Sequence, residues 1–199
     1  MSETKNKKSG ASDAAQAKRQ SQARVLRVFR KIHRWTGAAL FIFFFVVAVT
    51  GLLLGWKKHS GGLLLAPSYK GTTTEMHRWL PVDSLHSIAC RVLHEQVDAS
   101  LSLDMDRIDI RPDKGMAKFV FADHYNGIQL DMATRKVLHI EKRRADFIEK
   151  IHDGSILDQY LRTGNRQIKL FYTTVIGLAL LVFTVTGFWL WYGPKRMRK

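Results

Sequence analysis

The sequence predicts a membrane α-helical hairpin of two transmembrane helices with an α+β extracytoplasmic domain inserted between them. Two long charge-free segments predict the hairpin, and helix- and strand-type periodicity between them predicts the domain. The chain has 199 residues, a net charge of +15 and 46% hydrophobic residues, so it is too apolar for an intrinsically disordered chain. The single cysteine, Cys90, excludes an internal disulfide and every CxxC-type zinc, redox or haem-attachment motif.

Residues 35–56 and 170–194 contain no charged side chain, and basic residues flank both segments. A helix rises about 1.5 Å per residue, so about 20 apolar residues cross the hydrocarbon layer. Backbone polar groups must be paired inside a bilayer, which requires both segments to be helical. Aromatic residues of the kind that favour the headgroup layer stand toward the ends: Trp35, Trp56, Tyr172, Trp189, Trp191 and Tyr192.

The flanking charges predict the orientation. Residues 1–34 carry ten Lys or Arg against two acids, and residues 195–199 carry four, whereas residues 57–169 carry eighteen against fifteen acids. The positive-inside rule then places both termini in the cytoplasm and residues 57–169 on the opposite side of the membrane. No small-residue cleavage site follows the first apolar segment, so we expect that helix to be retained.

These observations divide the chain into five parts. They are a disordered basic cytoplasmic arm (1–22), a basic juxtamembrane helix with the first transmembrane helix (23–56), the extracytoplasmic domain with its approach helix (57–169), the second transmembrane helix (170–193) and a basic cytoplasmic tail (194–199). The juxtamembrane helix has a stripe of Val25, Phe29, Ile32 and Thr36 among basic residues. Its charge either binds anionic inner-leaflet lipids or only determines topology.

The segment between the spans has helix and strand signals. Val82–Val97 has one apolar face, as expected of an amphipathic helix. Four strand candidates follow, at residues 107–111, 116–122, 128–131 and 136–140, and Asn126-Gly127 is a hairpin-turn signal. The sequence therefore predicts a helix that covers one face of an antiparallel sheet. Ala145–Leu161 is predicted to be helical with a break near Asp153-Gly154.

Three stretches resemble one known family. Residues 30–37 (RKIHRWTG) are similar to the His-Arg-Trp-x-Gly start of PepSY-associated transmembrane proteins. Residues 128–138 resemble the last hairpin of a PepSY domain, and residues 147–154 resemble the Leu-His segment before the next span. Together the resemblance covers residues 24–194. The chain departs from the family where Met132 and Arg135 replace the usual Pro and Gly, and where two spans replace three or four.

The resemblance implies a cofactor. Some larger relatives are haem-containing ferric-siderophore reductases, so His33 and His152 are candidate axial ligands of haem b. Gly37, one turn after His33, would leave room beside the imidazole, and Arg30, Arg34, Arg162 and Arg166 could pair with propionates. The two histidines flank opposite ends of a span of about 30 Å, so one haem could join them only as symmetry mates in a dimer. Otherwise His33 is an interfacial residue and His152 a solvent-exposed one.

Two further motifs have alternative interpretations. Gly51-x-x-x-Gly55 predicts a homodimer contact, a loosened helix end or a place where the second span packs within one chain. Thr50-Gly51 recurs as Thr186-Gly187 in the other span. His86, Cys90 and His94 stand four residues apart, a spacing that could gather a metal but that fits a helix-boundary stripe better.

Two functions remain open from sequence. The first is an accessory membrane protein of iron (ferric-siderophore) uptake or transmembrane electron transfer, with haem held between two chains. The second is a non-catalytic, membrane-tethered PepSY module that binds a periplasmic or membrane partner or inhibits a protease. Whether the chain is an enzyme stays open; a catalytic form would be a haem-dependent reductase. Its basic charge sits at span boundaries, which favours membranes over nucleic acid.

Overall fold

The computed structural model describes the backbone of residues 3–197 and the side chains of residues 16–196. Two compact units make up the chain: residues 1–48 with 170–199, called the hairpin unit, and residues 49–169, called the inserted unit. The helices and strands are α1 (Glu3–Trp56), α2 (Val82–Gln96), β1 (Met105–Arg111), β2 (Met116–Phe121), β3 (Asn126–Asp131), β4 (Val137–Lys142), α3 (Arg144–His152), α4 (Ser155–Leu161) and α5 (Gln167–Met197).

Helices α1 and α5 are long and apolar enough to cross a membrane, as the charge-free segments predict. The apolar regions lie within Gln16–His59 and Gln167–Arg196, with mean hydropathy values of 2.6 and 2.0 over the best 18-residue windows. Only 6% of each window is buried by the rest of the protein, unlike the core helix of a soluble domain. These outward-facing apolar side chains require an apolar solvent, which the bilayer supplies.

The amino-terminal arm differs from the prediction. Residues 3–22, expected to be disordered, belong to α1, and residues 1–2 lie outside the described part. Residues 11–24 are rich in Ala, Gln and Arg and have no proline, so they can prolong a helix that the apolar segment stabilises. Since α1 is continuous to Trp56, residues 23–34 do not form a separate helix. The predicted tail 194–199 is likewise helical as far as Met197.

Aromatic side chains join α1 to α5 in antiparallel order. Phe29 packs on Trp189 with ring centroids 5.8 Å apart, and Phe44 packs on Phe183 at the same distance. Of the stripe that the sequence shows on α1, Phe29 makes this contact with α5, whereas Val25 and Ile32 remain 40% and 41% exposed.

The inserted unit is an α+β layer, as the periodicity predicts. Its four strands are antiparallel in the order β1-β2-β3-β4. Leu85, Ala89 and Leu93 of α2 are fully buried against one sheet face. The sheet side of this core is formed mainly by Ala117, Phe119, Phe121, Ile128 and Leu130.

A segment before α2 is fastened to the ends of β2 and β3. Gly71 donates its N–H to the carbonyl of Lys114, and Thr72 donates its N–H to Asp131. The backbones approach so closely that a Cβ at Gly71 would lie 2.3 Å from the carbonyl oxygen of Gly115. A side chain at Gly71 or at Gly115 would therefore separate the segment that contains Gly71 and Thr72 from the sheet.

The turn before β3 is not the predicted one. Asn126 and Gly127 are the first residues of β3, and the turn lies at residues 122–125, where Tyr125 adopts a φ of 56°. Gly127 is a packing position instead, because a Cβ there would lie 3.2 Å from the side chains of both Arg143 and Glu141. The break predicted near Asp153-Gly154 is confirmed, with Gly154 in the left-handed region at φ 76°.

Candidate functional site

His33 of α1 forms a hydrogen bond with Thr186 of α5 inside the hairpin unit. Its Nδ1 lies 3.0 Å from the Thr186 hydroxyl, and Thr186 is itself 5% exposed. The same hydroxyl donates to the carbonyl of Val182 at 2.7 Å or of Phe183 at 3.0 Å. Because its one proton is directed to the helix backbone, the hydroxyl accepts from Nδ1–H of His33. This tautomer places the free lone pair of His33 on Nε2.

The surroundings of the His33 ring differ from the room expected beside Gly37. Phe183 stacks on the imidazole with centroids 3.9 Å apart, and its Cε2 atom would lie 2.9 Å from a Cβ at Gly37. Gly37 therefore accommodates a phenyl ring of the same chain. A Cβ at Gly187 would lie 3.3 Å from Cε1 of His33, so this glycine also admits the imidazole. A metal approaches an imidazole nitrogen in the ring plane, so stacking on the face leaves Nε2 usable as a ligand.

His152, at the end of α3, makes the corresponding contact inside the inserted unit. Its Nδ1 lies 2.8 Å from the hydroxyl of Thr50, and a Cβ at Gly51 would lie 3.5 Å from its Cε1. His152 is half-buried rather than solvent-exposed. Among the described residues, Nε2 of neither His33 nor His152 forms a hydrogen bond. The structure thus contains two histidines that each pack on a Thr-Gly pair of an apolar helix.

The remaining predicted residues are placed as follows. Arg30, Arg34, Arg162 and Arg166 are all exposed, with Arg162 at a φ of 51° directly after α4. Gly51 contacts His152 of its own chain, whereas nothing lies within 4 Å of a Cβ built at Gly55. Gly55 is therefore the open position of the predicted dimer motif.

As expected, the stripe of His86, Cys90 and His94 lies between the buried and the exposed face of α2. His86 Nε2 lies 3.2 Å from Cys90 Sγ, but His94 lies 3.0 Å from the carbonyl of Leu101. Burial is the main cause that raises the pKa of the Cys90 thiol, which favours its neutral form. In the described part of the chain, no group of three potential ligands could hold a metal ion.

Sequence reasoning missed a buried charge network on the second face of the sheet. Glu141, 4% exposed, lies 3.5 Å from the ammonium of Lys118 and 3.0 Å from the guanidinium of Arg143. Burial lowers the pKa of Lys118, and the neighbouring Glu141 partly opposes that effect. Arg143 also forms a 2.7 Å pair with Asp146. No periodicity signal could reveal this network, because Lys118 lies on β2, which is buried on both faces, and Arg143 and Asp146 lie outside the strands.

Carboxylates also organise the start of α5. Asp158 is 6% exposed and accepts hydrogen bonds from the backbone N–H groups of Ile168 and Lys169, and from the hydroxyl of Thr163. Burial raises the pKa of Asp158, but these hydrogen bonds outweigh it, so the pKa lies below its usual value. Asp158 and its neighbours line an open polar cleft of about 680 Å³ in the inserted unit.

The comparisons with known proteins agree with the resemblance described above. The sequence model of one family, described as PepSY-associated TM region, matches residues 30–199. Neither the curated proteins nor the solved structures include a match to the chain. The match contains both charge-free segments, both His–Thr pairs and the whole inserted unit. The chain is a membrane protein and belongs to the PepSY-associated transmembrane family.

Proposed function

We propose that this protein is a membrane-bound electron-transfer component that holds haem b through His33 and His152. The observation that carries the proposal is the pair of histidines whose Nδ1 atoms are engaged by threonine hydroxyls. Metal-binding histidines usually donate the N–H of their second ring nitrogen to an oxygen acceptor, which fixes the tautomer and the ring orientation.

The residues present fit haem in their donor chemistry. Each imidazole keeps Nε2 free of described partners, and both rings are half-buried beside apolar helix. The exposed Arg34 and Arg162 supply cations for propionates near each histidine in the sequence. Bound haem would supply one-electron transfer, and the protein would hold and orient it through the two imidazoles.

We propose that two chains share each haem, because one chain offers one histidine in each of its two units. A dimer supplies every site with a second imidazole from the symmetry-related chain. The exposed face at Gly55 supports close approach of two α1 helices, since no described side chain covers that position.

The proposed setting is iron uptake at the bacterial inner membrane. The inserted unit would be a PepSY-like domain outside the cytoplasm, and electrons would pass outward to ferric chelates. The packing of α2 on the sheet supports the assignment of the inserted unit as a PepSY-like domain. The basic flanks of both apolar segments support cytoplasmic termini. A reporter fused after Lys199 tests the orientation: activity of a cytoplasmic-type reporter is expected, and activity of a periplasmic-type reporter would contradict it.

An absorption spectrum of the detergent-solubilised protein, expressed with haem supply, tests the proposed function. We expect a Soret band that shifts on reduction, and a marked loss of that band in His33→Ala and in His152→Ala. His77→Ala is the matched control, because the His77 side chain is 79% exposed and lies in the inserted unit. No Soret band in the wild type would contradict the proposal.

The open polar cleft of the inserted unit supports a second function, non-catalytic binding of a partner. Its walls combine acids such as Glu149 with cations such as Lys150, which suits a polar protein surface better than a small apolar ligand. In a haem-free protein this cleft would be the candidate site for a periplasmic or membrane partner, including a protease to be inhibited.

A further inference from the structure

A groove of about 270 Å³ lies in the hairpin unit between the amino-terminal part of α1 and the carboxyl-terminal part of α5. Residues 18–26 form one wall, and residues 189–196 form the other. The haem proposal uses no residue of this groove.

The floor of the groove is apolar because one glycine lets the helices approach. Gly193 is buried, and a Cβ there would lie 2.9 Å from Cδ2 of Leu26 and 3.6 Å from Nε1 of Trp189. Trp189 is half-buried and is held in place by Phe29, with ring centroids 5.8 Å apart. Leu26 and Trp189 therefore offer a shaped apolar surface of the kind that accepts an alkyl chain.

The rim of the groove is cationic. Lys18 and Arg196 are exposed on opposite walls, and neither forms an ion pair with any described carboxylate. The sequence has no acid between Asp13 and Glu75 and none after Asp158, so both walls lack a local counter-charge. The indole N–H of Trp189 also has no hydrogen-bond acceptor among the described residues. The rim of the groove therefore carries positive charges and hydrogen-bond donors that have no partner among the described residues.

We propose that this groove binds one anionic phospholipid from the membrane surface next to the chain termini. Trp189, Trp191 and Tyr192 mark the level of the headgroup layer on α5, which places the groove where a phospholipid would be. Its acyl chain lies on Leu26 and Trp189, and its phosphate binds Lys18 and Arg196. Charge complementarity selects an anionic headgroup over a zwitterionic one.

Native mass spectrometry tests this site on the full chain, released from micelles that contain equal amounts of phosphatidylglycerol and phosphatidylcholine. The wild type is expected to retain phosphatidylglycerol in preference. Lys18→Gln/Arg196→Gln should lower that retention about 25-fold, about five-fold for each cation. Arg24→Gln/Arg27→Gln removes the same charge from exposed positions of α1 that do not line the groove, and should change retention less than about two-fold.

A steric variant separates the groove from general charge attraction. Ser21→Trp keeps every charge but fills the groove from an exposed position, so phosphatidylglycerol retention should fall as in the Lys18/Arg196 variant. Glycerol phosphate, which has the headgroup chemistry without acyl chains, should not compete. Equal losses in the two double variants, unchanged retention in Ser21→Trp, or competition by glycerol phosphate would each overturn the proposal.

Discussion

His152 and Thr50 stand 102 positions apart in the sequence, yet their side chains meet at 2.8 Å between Nδ1 and Oγ1. His33 and Thr186 make the same contact at 3.0 Å, and in both cases the threonine is followed by a glycine at which a Cβ would lie 3.5 Å or less from the imidazole. The two contacts belong to different units of the protein. Because the same arrangement occurs twice, we infer that the threonine hydroxyl and the following glycine set the orientation of each imidazole.

Thr186→Val tests whether the hydroxyl orients His33. Valine keeps the shape of threonine but cannot accept the Nδ1–H, so we expect about 10–100-fold weaker haem binding with the fold retained. Haem titration of the purified apoprotein measures this. Thr184→Val is the matched control, because the exposed Thr184 hydroxyl bonds only the carbonyl of Leu180. Equal affinity in Thr186→Val and Thr184→Val would show that Thr186 does not position the ligand.

Gly37→Ala tests the close contact of α1 with Phe183. The added methyl group would lie 2.9 Å from the phenyl ring, which must then move off His33. We expect a loss of about 1–3 kcal/mol in the free energy of unfolding, as in other overpacked sites. Gly177→Ala, where nothing lies within 4 Å of the new Cβ, should be neutral or slightly stabilising. Thermal denaturation in detergent would refute the packing argument if both variants behaved alike.

Glu141→Gln tests the buried charge network of the inserted unit. The change leaves the Lys118 ammonium, in a residue only 3% exposed, without its carboxylate. Uncompensated buried charges cost about 3–5 kcal/mol, so we expect a large fall in the unfolding free energy. The exposed Glu149 of α3 provides the control variant Glu149→Gln, with an expected change within about 0.5 kcal/mol. A similar small effect in both variants would mean that the network does not stabilise the sheet.

The acid limit of stability should depend on Asp146. Burial raises the pKa of this carboxyl, but hydrogen bonds and charges from Arg143 and Arg107 outweigh burial and lower it. A folded-state pKa below the unfolded value of about 3.9 gives stabilisation that is complete above about pH 5 and lost as the pH falls through the folded value. We therefore expect a melting temperature that falls between pH 5 and pH 3.

Asp146→Asn should reduce the fall in melting temperature between about pH 5 and pH 3. Asp83→Asn, on the exposed face of α2, should leave that fall unchanged. The comparison requires melting curves of the three proteins at matched ionic strength. If the melting temperature of Asp146→Asn fell as far as that of the wild type, the acid sensitivity would belong to other carboxyls.

Much of the fold follows from patterns that act over short distances. The lengths of the charge-free segments identify the spans, and the alternation of apolar and polar residues identifies the strands of the α+β layer. The Asn126-Gly127 signal failed because Gly127 is required for packing against Arg143, which local turn preferences cannot reveal. The helical state of residues 3–22 was missed because composition alone does not show that α1 extends outward from its apolar segment.

The site was predictable only in part. The sequence shows His33, His152 and the repeated Thr-Gly pair, but the pairing of His33 with Thr186 depends on the register of α1 against α5. That register is set by contacts such as Phe183 on Gly37, which have no signature in a single sequence. The contact of His152 with Thr50 depends in the same way on where the end of α3 packs.

The most direct measurement is the haem content per chain of the His33→Ala/His152→Ala double variant, purified beside the wild type and His77→Ala. Both residues lie outside the charge-free segments, so the variant should still enter the membrane. We expect the wild type and His77→Ala to carry haem and the double variant to carry almost none. Haem at the wild-type level in the double variant would contradict the assignment of these two histidines as ligands.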